Sequence, residues 1–364
     1  MGECNTFFSI FQKQYDIFST LLKKCTGKSG EIENSFLLTV VSKRSKLTLR
    51  LYLLARILLA RVGRRYIMKL KIDQSRSQAD PFIFQDGDRY YLYVTGADGV
   101  EAYSAKDIFE EWNYEGIVAQ VKGAKSYWAP CIIKVDGVYY LYVSFIFGDE
   151  FEYLHVFKAD SPLGPFTEPK KLFNHFSIDP HVVQTESGLF LVYSIDDYDA
   201  ERAGTRILID KLIDPYTLEY APVEKVSPTL KEERNTLKST ENEWYTIEGG
   251  FWFQEGEWQY LMYSGGAYQL DEYHIGYASA KTTESDLRKV DFVKHLRDGK
   301  FAPVMIKNGI EEGTGHHSVI KLNGEYYAVY HARDYLPNGK RTARIARLIV
   351  QDGQIICPQH GDNL

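Results

Sequence analysis

From residue 80 onward, one pattern of apolar and polar positions recurs five times. A short opening segment leads into an apolar run, then a glycine-bearing turn, then a second run rich in tyrosine. The copies are DPFIFQDGDRYYLYV from Asp80, WAPCIIKVDGVYYLYVS from Trp128, DPHVVQTESGLFLVYS from Asp179, EGGFWFQEGEWQYLMYS from Glu248 and HHSVIKLNGEYYAVYH from His316. Aromatic and β-branched runs split by a glycine turn predict β-hairpins. The turn glycines Gly87, Gly137, Gly188, Gly256 and Gly324 fall seven to nine residues after each opener.

The openers are 48, 51, 69 and 68 residues apart. One hairpin cannot bury its own face, and a repeat of this length accommodates a four-stranded sheet, the blade of a propeller. The expected fold is all-β: a five-bladed β-propeller with four-stranded antiparallel blades. Blade boundaries are expected near 69–123, 124–173, 174–242, 243–305 and 306–357. In such a ring the first strand of every blade lines the central channel, and all five run the same way. Asp80, Trp128, Asp179, Glu248 and His316 should therefore meet at one end of it. Singly, each has a bland explanation: an Asp-Pro turn, a core tryptophan, a loop glutamate, a hydrogen-bonded histidine. Their shared phase argues for use, because charge at a channel position is costly unless paired or employed. Three carboxylates, an indole and an imidazole around one pit predict a hydrolytic site.

The 364 residues include 27 Tyr and 20 Phe, which suits strands and a sugar-binding surface. The net charge of −6 is unevenly spread: residues 1–70 carry 13 Lys and Arg against 4 Asp and Glu, the remainder 30 against 45. An acidic main domain argues against a nucleic-acid partner, since phosphates need a basic footprint. Residues 1–67 read as a basic N-terminal extension, flexible or outside the native fold, 68–357 as the catalytic propeller, and 358–364 as a frayed polar tail. Met1-Gly2-Glu3-Cys4-Asn5-Thr6 fits a loose myristoylation pattern, and RLYLLARILLARVGRR from Arg50 a basic amphipathic helix. Arg56 and Arg61 interrupt that helix well below the ~20 apolar residues of a membrane span. There is no signal-peptide pattern, and Cys4, Cys25, Cys131 and Cys357 form neither close pairs nor metal spacings. That usage points to a reducing, cytoplasmic compartment.

The residues also match a family. From about Met68 the chain resembles glycoside hydrolase family 43, five-bladed propellers that cleave arabinose- and xylose-containing glycans with inversion. The resemblance rests on Ala79-Asp80-Pro81, Trp128-Ala129-Pro130, Ile178-Asp179-Pro180-His181, Ile247-Glu248-Gly249 and Gly313-Thr314-Gly315-His316-His317-Ser318. Two departures are Gly250, where the family often has proline, and Cys131, where an acid often follows Trp-Ala-Pro. The resemblance implies Asp80 as general base, Glu248 as general acid and Asp179 as the third carboxylate that tunes and orients it. A base and acid flanking an attacking water stand ~6.5–9.5 Å apart. It further implies Trp128 as an apolar wall against the sugar ring. An arginine of blade five should stand near the acid, with Arg341 the nearest match and Arg333 or Arg344 as alternatives. His316 would help to hold a channel calcium, with waters as most of its other ligands, that the chemistry itself does not require. His317 should point the other way by strand alternation. The substrate implied is an oligosaccharide or polysaccharide. An α-L-arabinofuranosidase is favoured because the chain has no room for the C-terminal β-sandwich of many family xylosidases. The alternatives are a β-xylosidase, an endo-arabinanase or a non-catalytic glycan-binding propeller. Invertase-like five-bladed enzymes are set aside, since Ile178-Asp179-Pro180 and Glu248-Gly249 stand where those carry Arg-Asp-Pro and Glu-Cys.

Overall fold

The structure is a computed structural model that describes residues 67–237, 243–334 and 339–360. Apart from Ile67, the extension expected at 1–67, with its myristoylation pattern and basic helix, lies outside the described residues. No helix among the described residues is long and apolar enough to cross a membrane.

The hairpins form where the apolar alternation places them, and each extends into an antiparallel sheet. Blade one is Phe82–Asp86, Arg89–Val94, Val100–Ala105 and Asn113–Ala119; blade two is Ala124–Val135, Val138–Phe147, Tyr153–Ala159 and Thr167–Lys171. Blade three is Ile178–Thr185, Gly188–Asp197 and Gly204–Asp214, with an outer edge shared by Thr217–Leu218 and Val223–Val226. Blade four is Ile247–Glu255, Trp258–Gly265, His274–Lys281 and Val293–Lys294. Blade five is Glu311–Leu322, Glu325–Asp334 and Thr342–Gln351.

The core is five seams between neighbouring blades, closed as a ring. Tyr93, Leu141 and Phe157 join blades one and two, and Tyr142 and Tyr193 join two and three. Ile207 and Leu261 join three and four, Tyr260 and Tyr330 join four and five, and Leu92 with Ile345 joins five back to one. Each seam buries both faces of an amphipathic sheet, which no blade could do alone.

Blade five differs from its expected span of 306–357. Its outer edge is split: Ile67–Lys69 pairs with Ala346, Ile345 and Arg344, while Gln354–Ile356 pairs with the far half of the same strand. Three residues at the start of the propeller thus complete its last sheet. The described part of the expected tail, 358–360, is tied down. His360 is fully buried, its Nε2 3.1 Å from Glu311 Oε1 and its Nδ1 2.7 Å from the Ile306 carbonyl. After blade three, Glu233 is fully buried and paired with Lys294 at 2.6 Å.

Candidate active site

Strand register defines which residues are equivalent at the channel mouth. Phe82 pairs with Tyr93, Cys131 with Tyr142, His181 with Val192, Phe251 with Met262 and Ser318 with Val329. Two residues before each stands Asp80, Ala129, Asp179, Gly249 or His316. All five have left-handed backbone, with φ of 53°, 47°, 58°, 63° and 41°. That conformation costs a residue with a side chain about 1–3 kcal/mol, and its persistence in every blade marks a constrained corner where the chain enters the channel. Trp128 and Glu248 sit one residue earlier than the equivalent position. The shared phase expected for all five openers therefore holds for Asp80, Asp179 and His316, while Ala129 and Gly249 take the corner in blades two and four.

A residue of one blade secures the opening segment of the next. At the end of each hairpin's second run stand Thr95, Ser144, Ser194, Ser264 and His331. Thr95 Oγ1 accepts the Ala129 N–H at 2.9 Å, Ser144 Oγ donates to the Ser177 carbonyl at 2.8 Å, and Ser264 Oγ accepts the His316 N–H at 2.8 Å. His331 Nδ1 lies 3.2 Å from the Asp80 N–H. Only Ser194 leaves its oxygen without a partner; there Thr205 Oγ1 accepts the Ile247 N–H at 3.0 Å instead.

Asp80 is buried and held on both oxygens. Thr95 donates to Oδ2 at 2.6 Å and Arg341 to Oδ1 at 3.1 Å, while His331 Nδ1 and His316 Nδ1 lie 3.2 and 3.5 Å from Oδ1. Burial alone would raise this carboxyl, but Arg341, His316 and His331 outweigh it and hold Asp80 well below the usual range. It is ionised.

The other two carboxyls move the opposite way. Burial pushes Glu248 up to about 7, with the charge of Asp80 adding to it and the Tyr273 hydroxyl, donating at 2.7 Å, opposing it. Burial also raises Asp179, reinforced by the charges of Glu248 and Asp80 and opposed by the Gly249 N–H that donates to its Oδ2 at 2.9 Å. Repulsion between Glu248 and Asp179 is mutual, so the pair retains one proton into neutral pH. Asp80, ionised, thus stands beside two carboxyls that share one proton.

Arg341 is the blade-five arginine at the site: it donates to Asp80, and its charge also reaches Glu248. Its guanidinium also covers the Tyr268 ring at 4.5 Å. Arg333 donates to the Tyr268 carbonyl, and Arg344 is buried against Glu311 and Asp334. Trp128 is partly exposed at the mouth and pairs in register with Ser144. His317 does not point away from the channel. The ladder slips between Gly315 and His317, and both His316 and His317 line the channel cavity. The two departures from the family motif are also explained. A Cβ on Gly250 would meet Val192 Cγ1 at 2.8 Å, leaving no room for proline, and Cys131 Sγ accepts the buried Val182 N–H at 3.3 Å.

Asp80, Asp179, His316 and His317 line a cavity of about 10 Å³, room for a single water-sized group. Among the described residues no three His, Cys, Asp or Glu side chains are placed to hold a metal ion. Calcium takes 6–8 oxygen ligands. His316 offers one imidazole nitrogen, and its carboxylate neighbour Asp80 is committed to Thr95, Arg341 and His331, so a calcium here would take most of its ligands from water. Thr95, Tyr273 and His331 are site residues that the motif reading missed. Thr95 and His331 carry a signal, the common position at the end of each second strand, whereas Tyr273 lies outside the repeated pattern.

The comparisons agree with this geometry. The model of the glycosyl hydrolases family 43 matches residues 74–355. An extracellular exo-α-(1→5)-L-arabinofuranosidase of Cellvibrio japonicus is 25% identical over 298 residues, covering 74% of this chain and 82% of that protein. One from Streptomyces avermitilis is 26% identical over 285 residues, covering 72% of this chain and 56% of its own length. Among solved structures, a thermostable family-43 glycoside hydrolase superposes with a TM-score of 0.67 at 25% identity, covering 78% of this chain and 93% of that one. An α-L-arabinofuranosidase from Lactobacillus brevis shares the fold with a TM-score of 0.65 at 20% identity, covering 80% and 95%. With its motifs at the mouth of a five-bladed channel and the family model spanning all five blades, this chain belongs to glycoside hydrolase family 43 and is an inverting glycoside hydrolase.

Proposed function

We propose that the enzyme is an α-L-arabinofuranosidase in which Asp80 is the general base, Glu248 the general acid and Asp179 the carboxylate that orients the acid and raises its affinity for the proton. The observation that carries the reading is the opposite displacement of two carboxyls at one channel mouth: Asp80 held ionised by Arg341, His316 and His331, Glu248 held protonated to about 7 by burial. Asp80 takes a proton from the attacking water as its oxygen bonds to the anomeric carbon. Glu248 gives its proton to the departing glycosidic oxygen as that bond breaks. The product is the hemiacetal of opposite configuration plus the free alcohol. Trp128 forms the apolar wall of the sugar pocket, and no step passes through a metal, His316 included. The arabinoside assignment draws on the printed activities of the relatives, and the free, buried Cys131 and Cys357 fit the cytoplasmic placement expected from cysteine usage.

The test is the anomer first released, followed by NMR, with aryl α-L-arabinofuranoside, aryl β-xyloside and linear arabinan compared side by side. Inverted product and a preference for the arabinoside are expected. Glu248→Ala should abolish cleavage of unactivated glycosides and spare activated aryl glycosides in part, whereas Asp80→Ala should fail on both. A retained product overturns Asp80 as base, and a preference for the xyloside overturns the substrate assignment.

A further inference from the structure

Four blades close their second strand with a hydroxyl, Thr95, Ser144, Ser194 and Ser264; blade five closes it with His331. Three of those hydroxyls bond the backbone of the next blade's opening segment. A serine at position 331 would suffice for that task. The imidazole reaches further: Nδ1 lies 3.2 Å from the Asp80 N–H and also 3.2 Å from Asp80 Oδ1. The ring is fully buried, lies parallel to Tyr273 at 5.8 Å and 9°, and leaves Nε2 with no partner.

We infer that His331 is a positioning residue for the general base, its Nδ1–H donating to Asp80 Oδ1 and fixing the carboxylate that Thr95 holds through Oδ2. This rests on the reading of Asp80 as base. One nitrogen cannot both accept from the amide and donate to the carboxylate, and the charge of the carboxylate selects the donor. A bond to an ionised carboxylate is about twice as strong as one between neutral groups. Each tautomer strands one buried N–H, that of Nε2 when Nδ1 accepts and that of the Asp80 amide when Nδ1 donates, so this cost is common to both and the bond to charge decides. Burial holds the ring neutral, with its pKa pushed down to about 4, so the proton on Nδ1 requires Nε2 to be bare. The groups facing this pair are Arg341, His316 and Tyr273, with Asp179 and Glu248 across the mouth. Arg341 shares Oδ1, so His331 and Arg341 approach one oxygen while Thr95 holds the other.

The test replaces His331 with the residue that the other blades use. His331→Ser keeps a hydroxyl for the Asp80 amide and removes the donor to the carboxylate. Misplacing a catalytic group by about 1 Å costs as much as a hundredfold. The expected result is a kcat roughly ten- to a hundredfold lower on aryl and unactivated arabinosides alike, with KM within about threefold, the product still inverted, and the melting temperature near that of the parent. His331→Asn, whose amide N–H can donate to Oδ1, should recover several-fold over serine. A kcat within about twofold of the parent for His331→Ser would reduce His331 to an interblade anchor. Nitrogen-15 NMR of the histidine-labelled parent gives a readout that needs no variant to fold, other than to assign the signal. Protonated Nδ1 with bare Nε2 is expected, and the opposite tautomer overturns the inference. Retained configuration would instead strike the assignment of Asp80 itself.

Discussion

Tyr273 offers a direct handle on the acid. It is buried, and its hydroxyl donates to Glu248 Oε1 at 2.7 Å, a bond that favours the ionised form and opposes the effect of burial. Tyr273→Phe deletes that donor and keeps the ring, which lies against His331 and packs on the backbone at Gly315. A hydrogen bond to a charged group contributes about 1.5–3 kcal/mol, and a pKa unit corresponds to about 1.4 kcal/mol. Part of the bond survives when the acid is neutral, so the low end applies, roughly one unit. The sign is upward: without the phenol, Glu248 keeps its proton to higher pH. Activity on unactivated glycosides requires that proton, so the alkaline limb of kcat/KM should move from near 7 toward roughly 8. The acidic limb, governed by Asp80, should stay in place. The assay is the pH profile of kcat/KM on an unactivated arabinoside between about pH 5 and 9. A limb that stays, or moves down, would refute Glu248 as the acid that Tyr273 opposes.

Asp179→Asn removes a like charge beside the acid, so Glu248 should ionise more readily and the alkaline limb should move down in the same assay. Gly315→Ala would place a Cβ 1.9 Å from the Tyr273 ring, and should lower stability in a urea titration by about 1–3 kcal/mol; an unchanged midpoint would show that the ring can yield. Dialysis against a chelator should leave turnover within about twofold, because no base, acid or water-holding step above uses a metal; a larger loss that calcium restores would place one at His316.

The ring was legible because a hairpin with one apolar face announces itself twice per blade, and five copies leave one closed arrangement. Asp80, Asp179 and His316 were legible as channel residues for the same reason. The slip came at Trp128 and Glu248, where the visible side chain precedes the corner and a small residue, Ala129 or Gly249, turns it. Backbone conformation, not chemistry, sets the phase there, and the letters alone favour the larger side chain. The strand Ile67–Lys69 escaped notice because three residues carry no alternation. Tyr273 meets Glu248 from a loop with no repeat to index it. His331 was visible as the exception to a column of hydroxyls, a contrast that appears only once the second strands are aligned on one another.

Closure of the ring by its first strand carries a consequence for the order in which the protein is made. The base lies in blade one, but three groups that set its charge, Arg341, His316 and His331, all come from blade five. Synthesis delivers blades one to four first, and with them three carboxylates that have no cation among them at the mouth. Arg341 follows only with blade five, when the last sheet can take up Ile67–Lys69 along its open edge. A ribosome-bound chain stopped after blade four would hold Asp80, Asp179 and Glu248 in mutual repulsion, each favouring its protonated form. Joining the first strand to the last sheet and switching on the base are then a single maturation event.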